Sequence, residues 1–320
     1  MHVRLYIIPG LGDRRLDRIR VPEIRRWLNT LANACQCCVQ AKDAQRDEHH
    51  RKCCAIGKCC DQRLSRTTIE STRAVLRRAL NNAIAEELIT RNPVELVQVP
   101  SSASRRKRQV KSWSVEEARR FLEAARTAQD PLYAAYTLIL VTGLRRGEVL
   151  GLSWDRVDLK EQEVLPSMAL QRVNRRLVLG EAKTEASEEP VPLPEICTTA
   201  LRLRRASQEQ AKRSLDGPWP DRYGLVFTTR YGQPIEPRNF NRSFAHRCEV
   251  AGVRKIRLHD TRHTCGSLLA AMDVHPRVAM QILRHSKIDV TMEIYTHVPS
   301  EVTRAALRKL ADSLGGEVAP

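Results

Sequence analysis

Tyr295 stands near the end of the segment LRHSKIDVTMEIYTHV, shortly after LHDTRHT, in a chain that also offers Arg145, Lys183, His259, Arg262 and His285. These are the residue types that attack of a phenol on a phosphodiester would require. A tyrosine hydroxyl titrates near ~10, so only about one part in a thousand is phenolate at neutral pH, and a neighbour must take the proton. A histidine suits that task. The pentavalent transition state spreads negative charge over the non-bridging oxygens, which guanidinium groups hold bidentately and cannot desert by deprotonation. The departing 5′ oxygen needs a proton, and a lysine, charged below its free pKa of about 10.4, can give one. Such chemistry needs no metal and no other cofactor.

These groups are scattered over half the chain, so a fold must gather them. His259 and Arg262 are spaced i, i+3, which on a helix puts both on one face toward the same anion. Single-step spacing turns His263 about 100° away from Arg262, so it is set aside. Ser114 and Glu117 form a capping box ahead of a helix whose apolar face is Val115, Ala118, Phe121, Leu122 and Ala125. Leu132 to Val141 reads as a buried helix stopped by Gly143, Val164 to Leu193 as a small sheet with a turn near Gly180, and 225–235 as a hairpin. From Glu195 onward helices dominate.

The first third is also helical. Ile24, Trp27, Leu28 and Leu31 share one face of a helix over 22–33 that Pro22 opens, and a longer helix begins near Thr67 and ends before Asn92-Pro93. Arg73 and Arg77 flank its apolar stripe, either as a solvated face or as contacts to a DNA backbone. The stretch 101–112, rich in serine and then basic, reads as a linker whose Arg105, Arg106, Lys107 and Arg108 are further candidate backbone contacts. The expected organisation is therefore a helical domain over 1–100, the linker over 101–112 and a second domain over 113–320. The fold class is mainly α with a small antiparallel sheet.

The 320 residues carry a formal charge of +17, which points to a polyanionic partner, and only 4% are aromatic, which favours duplex phosphate contacts over base stacking. No apolar run is long enough for a membrane span and the N-terminus lacks a secretory pattern, so a cytoplasmic location is expected. Of ten cysteines, Cys35, Cys37, Cys38, Cys53, Cys54, Cys59 and Cys60 crowd into one segment, with His49 and His50 among them. In a reducing compartment this favours metal over disulfides, and structural zinc is the expected occupant of an insertion at about 34–63. A thiol-rich loop is the alternative. Adjacent Cys-Cys pairs are not the usual C-x-x-C knuckle, so several ligand sets remain open, all-cysteine or with one histidine.

The strings TGLRRGEVLGL (142–152), AKTEASEEPVPL (182–193), LHDTRHT and LRHSKIDVTMEIYTHV occur in the order that resembles the tyrosine recombinases, or phage-type integrases. IIPGLGDRRLDRI and RRWLNTL resemble the opening of that family's core-binding domain, most of all in integrases of actinobacterial mobile elements with a cysteine-rich insert. The resemblance implies a helical core-binding domain followed by a catalytic domain. It implies that Arg145 and Arg262 clamp the scissile phosphate, Lys183 serves the leaving oxygen, His259 assists proton transfer and His285 donates a hydrogen bond. Tyr295 would be the nucleophile and Glu148 a support for Arg145. Arg284, where glycine is usual, offers an added phosphate contact. Double-stranded DNA at attachment-type sites, a homotetramer joining two sites and a directionality factor are the implied partners. Relatives carry a small arm-binding domain ahead of the core-binding one, so a truncated start or a reduced form is expected. A DNA-binding protein that has lost cleavage and a type IB topoisomerase are the competing readings.

Overall fold

The computed structural model describes residues 1–100, 112–174, 176–182, 189–284, 288 and 291–292. The chain forms two compact units, Met1–Arg108 and Gln109–Pro320.

In the first unit a π-helical turn, Val3–Ile7, leads into α1 (Ile8–Leu11), followed by α2 (Val21–Asn33), α3 (Gln36–Val39) and α4 (Arg66–Ala85). The spacing of apolar residues explains the packing. Ile24, Trp27, Leu28 and Leu31 of α2 are buried with Ile69, Leu76 and Leu80 of α4 and with Val94 and Val97 beyond it. Each such side chain stabilises the unit by about 1.5–3 kcal/mol relative to exposure. Trp27 also satisfies its indole N–H on the Tyr6 carbonyl at 3.2 Å. Helix α4 ends earlier than its sequence pattern suggests, because Glu87 takes left-handed backbone with φ of 56°. Asn92 instead caps the 3₁₀ turn Pro93–Leu96, accepting the Val94 N–H.

Between α2 and α4 lies the cysteine-rich insertion, whose longest helix, α3, has four residues. None of its side chains joins the unit's apolar cluster. Its hub is Asp43, fully buried, whose carboxylate accepts the N–H groups of Lys52 (3.2 Å), Cys53 (2.9 Å) and Ala55 (3.1 Å) and pairs with Arg46 at 2.8 Å.

The second unit contains α5 (Val115–Thr127), α6 (Tyr133–Thr142), α7 (Arg146–Leu150), strands β1 (Val157–Asp158), β2 (Glu163–Val164), β3 (Met168–Val173), β4 (Arg176–Glu181) and β5 (Val191–Pro192), then α8 (Glu195–Arg213), α9 (Pro237–Val250), α10 (Asp260–Ala271) and α11 (Pro276–Leu283). The capping box forms, with Ser114 Oγ accepting the Glu117 N–H and Glu117 accepting the Ser114 N–H at 3.0 Å. Trp113, Phe121, Tyr136, Phe240 and Phe244 make an aromatic core with ring centroids 5.0–6.1 Å apart, a spacing at which edge and offset contacts add to burial.

The sheet expected over Val164–Leu193 is two sheets: β1-β2-β5 and the separate hairpin β3-β4, all antiparallel. Its turn is not at Gly180, which pairs with Ala169 inside the hairpin. The chain reverses where Val173 faces Arg176, and Asn174 supplies the positive φ of 46° that a tight hairpin needs. Residues 225–235 hold one antiparallel bridge, Thr228 with Pro234, rather than an extended hairpin. No helix among the described residues is long and apolar enough to cross a membrane.

Candidate active site

Arg145 is placed by the sharp corner between α6 and α7. Gly143 ends α6 with φ of 64°, and an added Cβ there would stand 2.5 Å from Leu283 Cδ2. Glycine takes this conformation without strain, and any larger residue would also have to displace the Leu283 side chain. Helix α7 then lies close on the hairpin, since a Cβ on Gly151 would meet the Leu170 nitrogen at 2.8 Å.

Glu148, in the first turn of α7, holds Arg145 twice. Its carboxylate accepts the Arg145 backbone N–H at 2.8 Å and Nη1 of the guanidinium at 2.8 Å. The same carboxylate pairs with Nη2 of Arg284, and the Arg284 carbonyl accepts Nη2 of Arg145 at 3.4 Å. Side-chain exposure is 4% for Glu148 and 3% for Arg284 but 36% for Arg145, so only the last of the three opens substantially to solvent. Arg284 follows α11 with φ of 50°. Left-handed backbone costs a residue with a Cβ roughly 1–2 kcal/mol, which the buried ion pair offsets. Its guanidinium is therefore directed to Glu148, and the added phosphate contact expected of it is not what its hydrogen bonds show. Nε and Nη1 of Arg284 are buried with no partner among the described residues.

Arg262 lies one turn into α10, buried, and donates Nη1 to the Gly143 carbonyl at 2.5 Å and Nη2 to the Leu283 carbonyl. It thereby ties the ends of α6 and α11 together. Burial first, and then the charge of Arg145, lowers its pKa to about 9 against the opposing pull of Glu148. Burial also lowers that of Arg284. Among the described residues three guanidinium groups gather near one carboxylate, and burial disfavours the charged forms of Arg262 and Arg284.

His259 caps α10, its ring edge-on to His263 at 5.6 Å and 90°. The surrounding protein desolvates this ring, and His263 and Arg262 repel its charge, so its pKa falls below the ordinary 6.5. A neutral imidazole at neutral pH can accept a proton. The i, i+3 spacing does not put both groups in the same surface. His259 lines a cleft and Arg262 is in the interior behind it. His263, set aside on spacing, turns out to be the ring that packs against His259.

The cleft, of about 1170 Å³, is lined by Arg145, Arg146, Arg172, Arg238, Arg257 and His259, with Glu148 and Glu236 as its acids. Arg172 pairs with Glu236 at 2.5 Å, Arg257 with Asp260 at 2.7 Å, and Arg146 reaches Asn241 at 3.1 Å. Ala182, which precedes Lys183, also lines it. Sequence reasoning missed Arg146, Arg172, Arg238 and Arg257. Arg146 lies within one matched string and Arg257 adjoins another, whereas nothing around Arg172 or Arg238 signals a cleft.

Lys183, His285 and Tyr295 lie outside the described residues, as do Arg105, Arg106, Lys107 and Arg108. Arg73 corrects an expectation. Its guanidinium binds the carbonyls of Val97 (2.6 Å) and Val94 (3.0 Å), closing the turn after α4 rather than standing free for a DNA backbone. Arg77 is exposed. In the insertion all seven cysteines come together in two groups of four sulfurs, Cys35, Cys38, Cys54 and Cys59, and Cys37, Cys53, Cys54 and Cys60. Neither His49 nor His50 belongs to either group.

A sequence profile of the Phage integrase family matches residues 111–301, more than half of the chain. A XerC-like tyrosine recombinase of Caldanaerobacter subterraneus subsp. tengcongensis is 29% identical over 263 residues, which span 78% of this chain and 67% of the relative. An integrase of Streptomyces ambofaciens is 28% identical over 298 residues, 91% of this chain and 68% of that protein. Among solved structures, the Tn1549 transposon integrase in complex with transposon right end DNA has a similar fold, with a TM-score of 0.70 at 20% identity over 97% of this chain and 91% of that one.

Proposed function

The chain belongs to the phage integrase family, and we propose that it breaks and rejoins DNA at specific sites through a 3′-phosphotyrosyl bond formed by Tyr295. The observation that carries this reading is the knot of Arg145, Arg262 and Arg284 around Glu148. Its excess positive charge is desolvated and opens, through Arg145, into an arginine-lined cleft. A phosphodiester in the cleft would meet this positive charge through Arg145. Arg145 contacts its non-bridging oxygens, Arg262 fixes the corner that presents Arg145 and adds charge behind the phosphate, and Glu148 sets the guanidinium plane.

In the forward step the Tyr295 oxygen attacks phosphorus, the phenolic proton passes to His259, and the 5′ oxygen leaves with a proton from Lys183. His285 donates a hydrogen bond to the phosphate. The new ester keeps the energy of the broken bond, so a 5′ hydroxyl from a second duplex reverses the step without a cofactor. Strand exchange between two sites then calls for four protomers on two duplexes. DNA is the partner, bound through phosphates by a chain of net charge +17. A directionality factor belongs to the same reading. The cysteine-rich insertion takes no part in this chemistry and is, in this reading, a structural zinc site.

Single-turnover cleavage of a nicked duplex followed across pH tests the assignment of His259. Because its pKa lies below 6.5, the neutral, proton-accepting form persists as the pH falls through that value. At subsaturating duplex, where the profile reports the free protein, the acid limb is therefore expected below 6.5, and His259→Gln should lower the rate about 10²–10⁴-fold and remove the limb. A limb at or above 6.5, or one unchanged in His259→Gln, would contradict the role.

A further inference from the structure

The insertion is a stretch of about 30 residues without core side chains or long helices, a length at which a compact domain rarely leaves a loop unsupported. Asp43 ties down its middle, and the Gln36 N–H donated to the Gln62 carbonyl at 2.9 Å closes its ends. The sulfurs form a further set of contacts across it. Cys35 and Cys54 stand 3.9 Å apart, Cys38 and Cys59 3.6 Å, Cys37 and Cys53 3.8 Å, and Cys54 and Cys60 3.7 Å. These separations are nearly twice a disulfide bond of ~2.05 Å. They match the edge of a tetrahedron whose centre lies ~2.3 Å from each corner, about 3.8 Å, which is the geometry of zinc bound by four thiolates. Cys35 and Cys60, in different groups, are also 3.9 Å apart, so the two groups share a wall.

The arrangement also accounts for the Cys-Cys pairs. Cys37 belongs to one group and Cys38 to the other, and Cys60 and Cys59 divide in the same way. Cys53 belongs to one group, while its neighbour Cys54 belongs to both. In two of the three pairs the neighbours fall to different groups, and in the third Cys54 reaches both, so each dipeptide can serve two centres, where a C-x-x-C knuckle would serve one.

We propose that the insertion binds two zinc ions in one seven-thiolate cluster, with Cys35, Cys38 and Cys59 on one ion, Cys37, Cys53 and Cys60 on the other, and Cys54 Sγ bridging them. This rests on the structural zinc reading and fixes its stoichiometry. Binding two Zn²⁺ to seven thiols releases seven protons and leaves a cluster of charge about −3, with no change of oxidation state. The same segment holds six basic residues (Lys42, Arg46, Arg51, Lys52, Lys58 and Arg63) against four acids (Asp43, Asp47, Glu48 and Asp61), and this small positive balance offsets part of that charge. An iron–sulfur cluster fits less well, because its inorganic sulfides would hold the cysteine sulfurs farther apart than one shared ion does.

The test is native mass spectrometry of the full, reduced chain with Zn(II), with a parallel sample carrying ¹¹³Cd for NMR. Two ions per chain are expected, and two cadmium resonances in the all-thiolate region, each split by the other through the shared sulfur. Cys54→Ser should abolish the splitting, and the wild-type spectrum decides the question even if that variant misfolds. One ion per chain, or two resonances without mutual splitting, would overturn the shared cluster while leaving structural zinc standing. No bound ion would overturn both, and cleavage activity measured on the same samples separates either failure from that of the recombinase reading.

Discussion

Arg262→Ala is expected to slow strand cleavage by about 10²–10³-fold, a loss of the size that follows when preorganised electrostatic stabilisation of a developing oxyanion is disrupted. The variant loses a positive charge behind the phosphate, and it also frees the Gly143 and Leu283 carbonyls that Arg262 ties together. Loosening that corner lets Arg145 drift, so the loss in rate exceeds any loss in DNA affinity. Arg262→Lys separates charge from geometry. A lysine restores one positive charge but cannot present a planar fork to two carbonyls, so it should recover little activity. The check is the rate of covalent adduct formation with saturating nicked duplex, alongside a melting curve to establish folding. A folded Arg262→Ala within tenfold of the wild-type rate would contradict the assignment.

Glu148→Gln is expected to cost more in stability than any exposed charge change in the chain. The glutamate is 4% exposed and answers two arginines. Neutralising it leaves the buried Arg284 without its counter-charge, and breaking such a pair typically costs about 3–5 kcal/mol. For a unit of this size that is a fall in melting temperature of roughly 10 °C. DNA supplies an anion to the same knot, so the variant should regain more thermal stability on binding duplex than the wild type does. A melting temperature within about 1 °C of wild type would show that Glu148 is not the hub.

The matched strings are short, occur in a set order and name one or two candidates each. Arg145, His259 and Arg262 could be picked out this way, and so could the helices that carry them, since the Ser114–Glu117 box and the stop at Gly143 are local signals. What joins them was not legible. Glu148 and Arg284 are 136 positions apart, and no pattern in either neighbourhood announces that they pair. Arg284 reads as one more cation for DNA, yet its hydrogen bonds turn inward. Arg73 was misleading for the same reason: a basic residue beside an apolar stripe looks solvated until the turn after the helix brings carbonyls to it. Gly180 reads as a turn because glycine more often marks one than it marks a paired strand position, and Asn174 is the better signal. The insertion is the converse case. Its sequence named a metal-binding region but could not divide seven cysteines among centres, because neighbouring residues serve different ones.

Tyr295 carries the central claim, and the direct measurement is trapping on a nicked duplex carrying the site, in which the broken strand's short 5′ fragment diffuses away and leaves any covalent intermediate stranded. The wild-type chain should form an adduct that survives denaturation and, after digestion, leaves the 3′ phosphate on the peptide containing Tyr295, while Tyr295→Phe should bind the duplex and form none. An adduct of undiminished yield in Tyr295→Phe, or a phosphate mapped to another residue, would contradict the account.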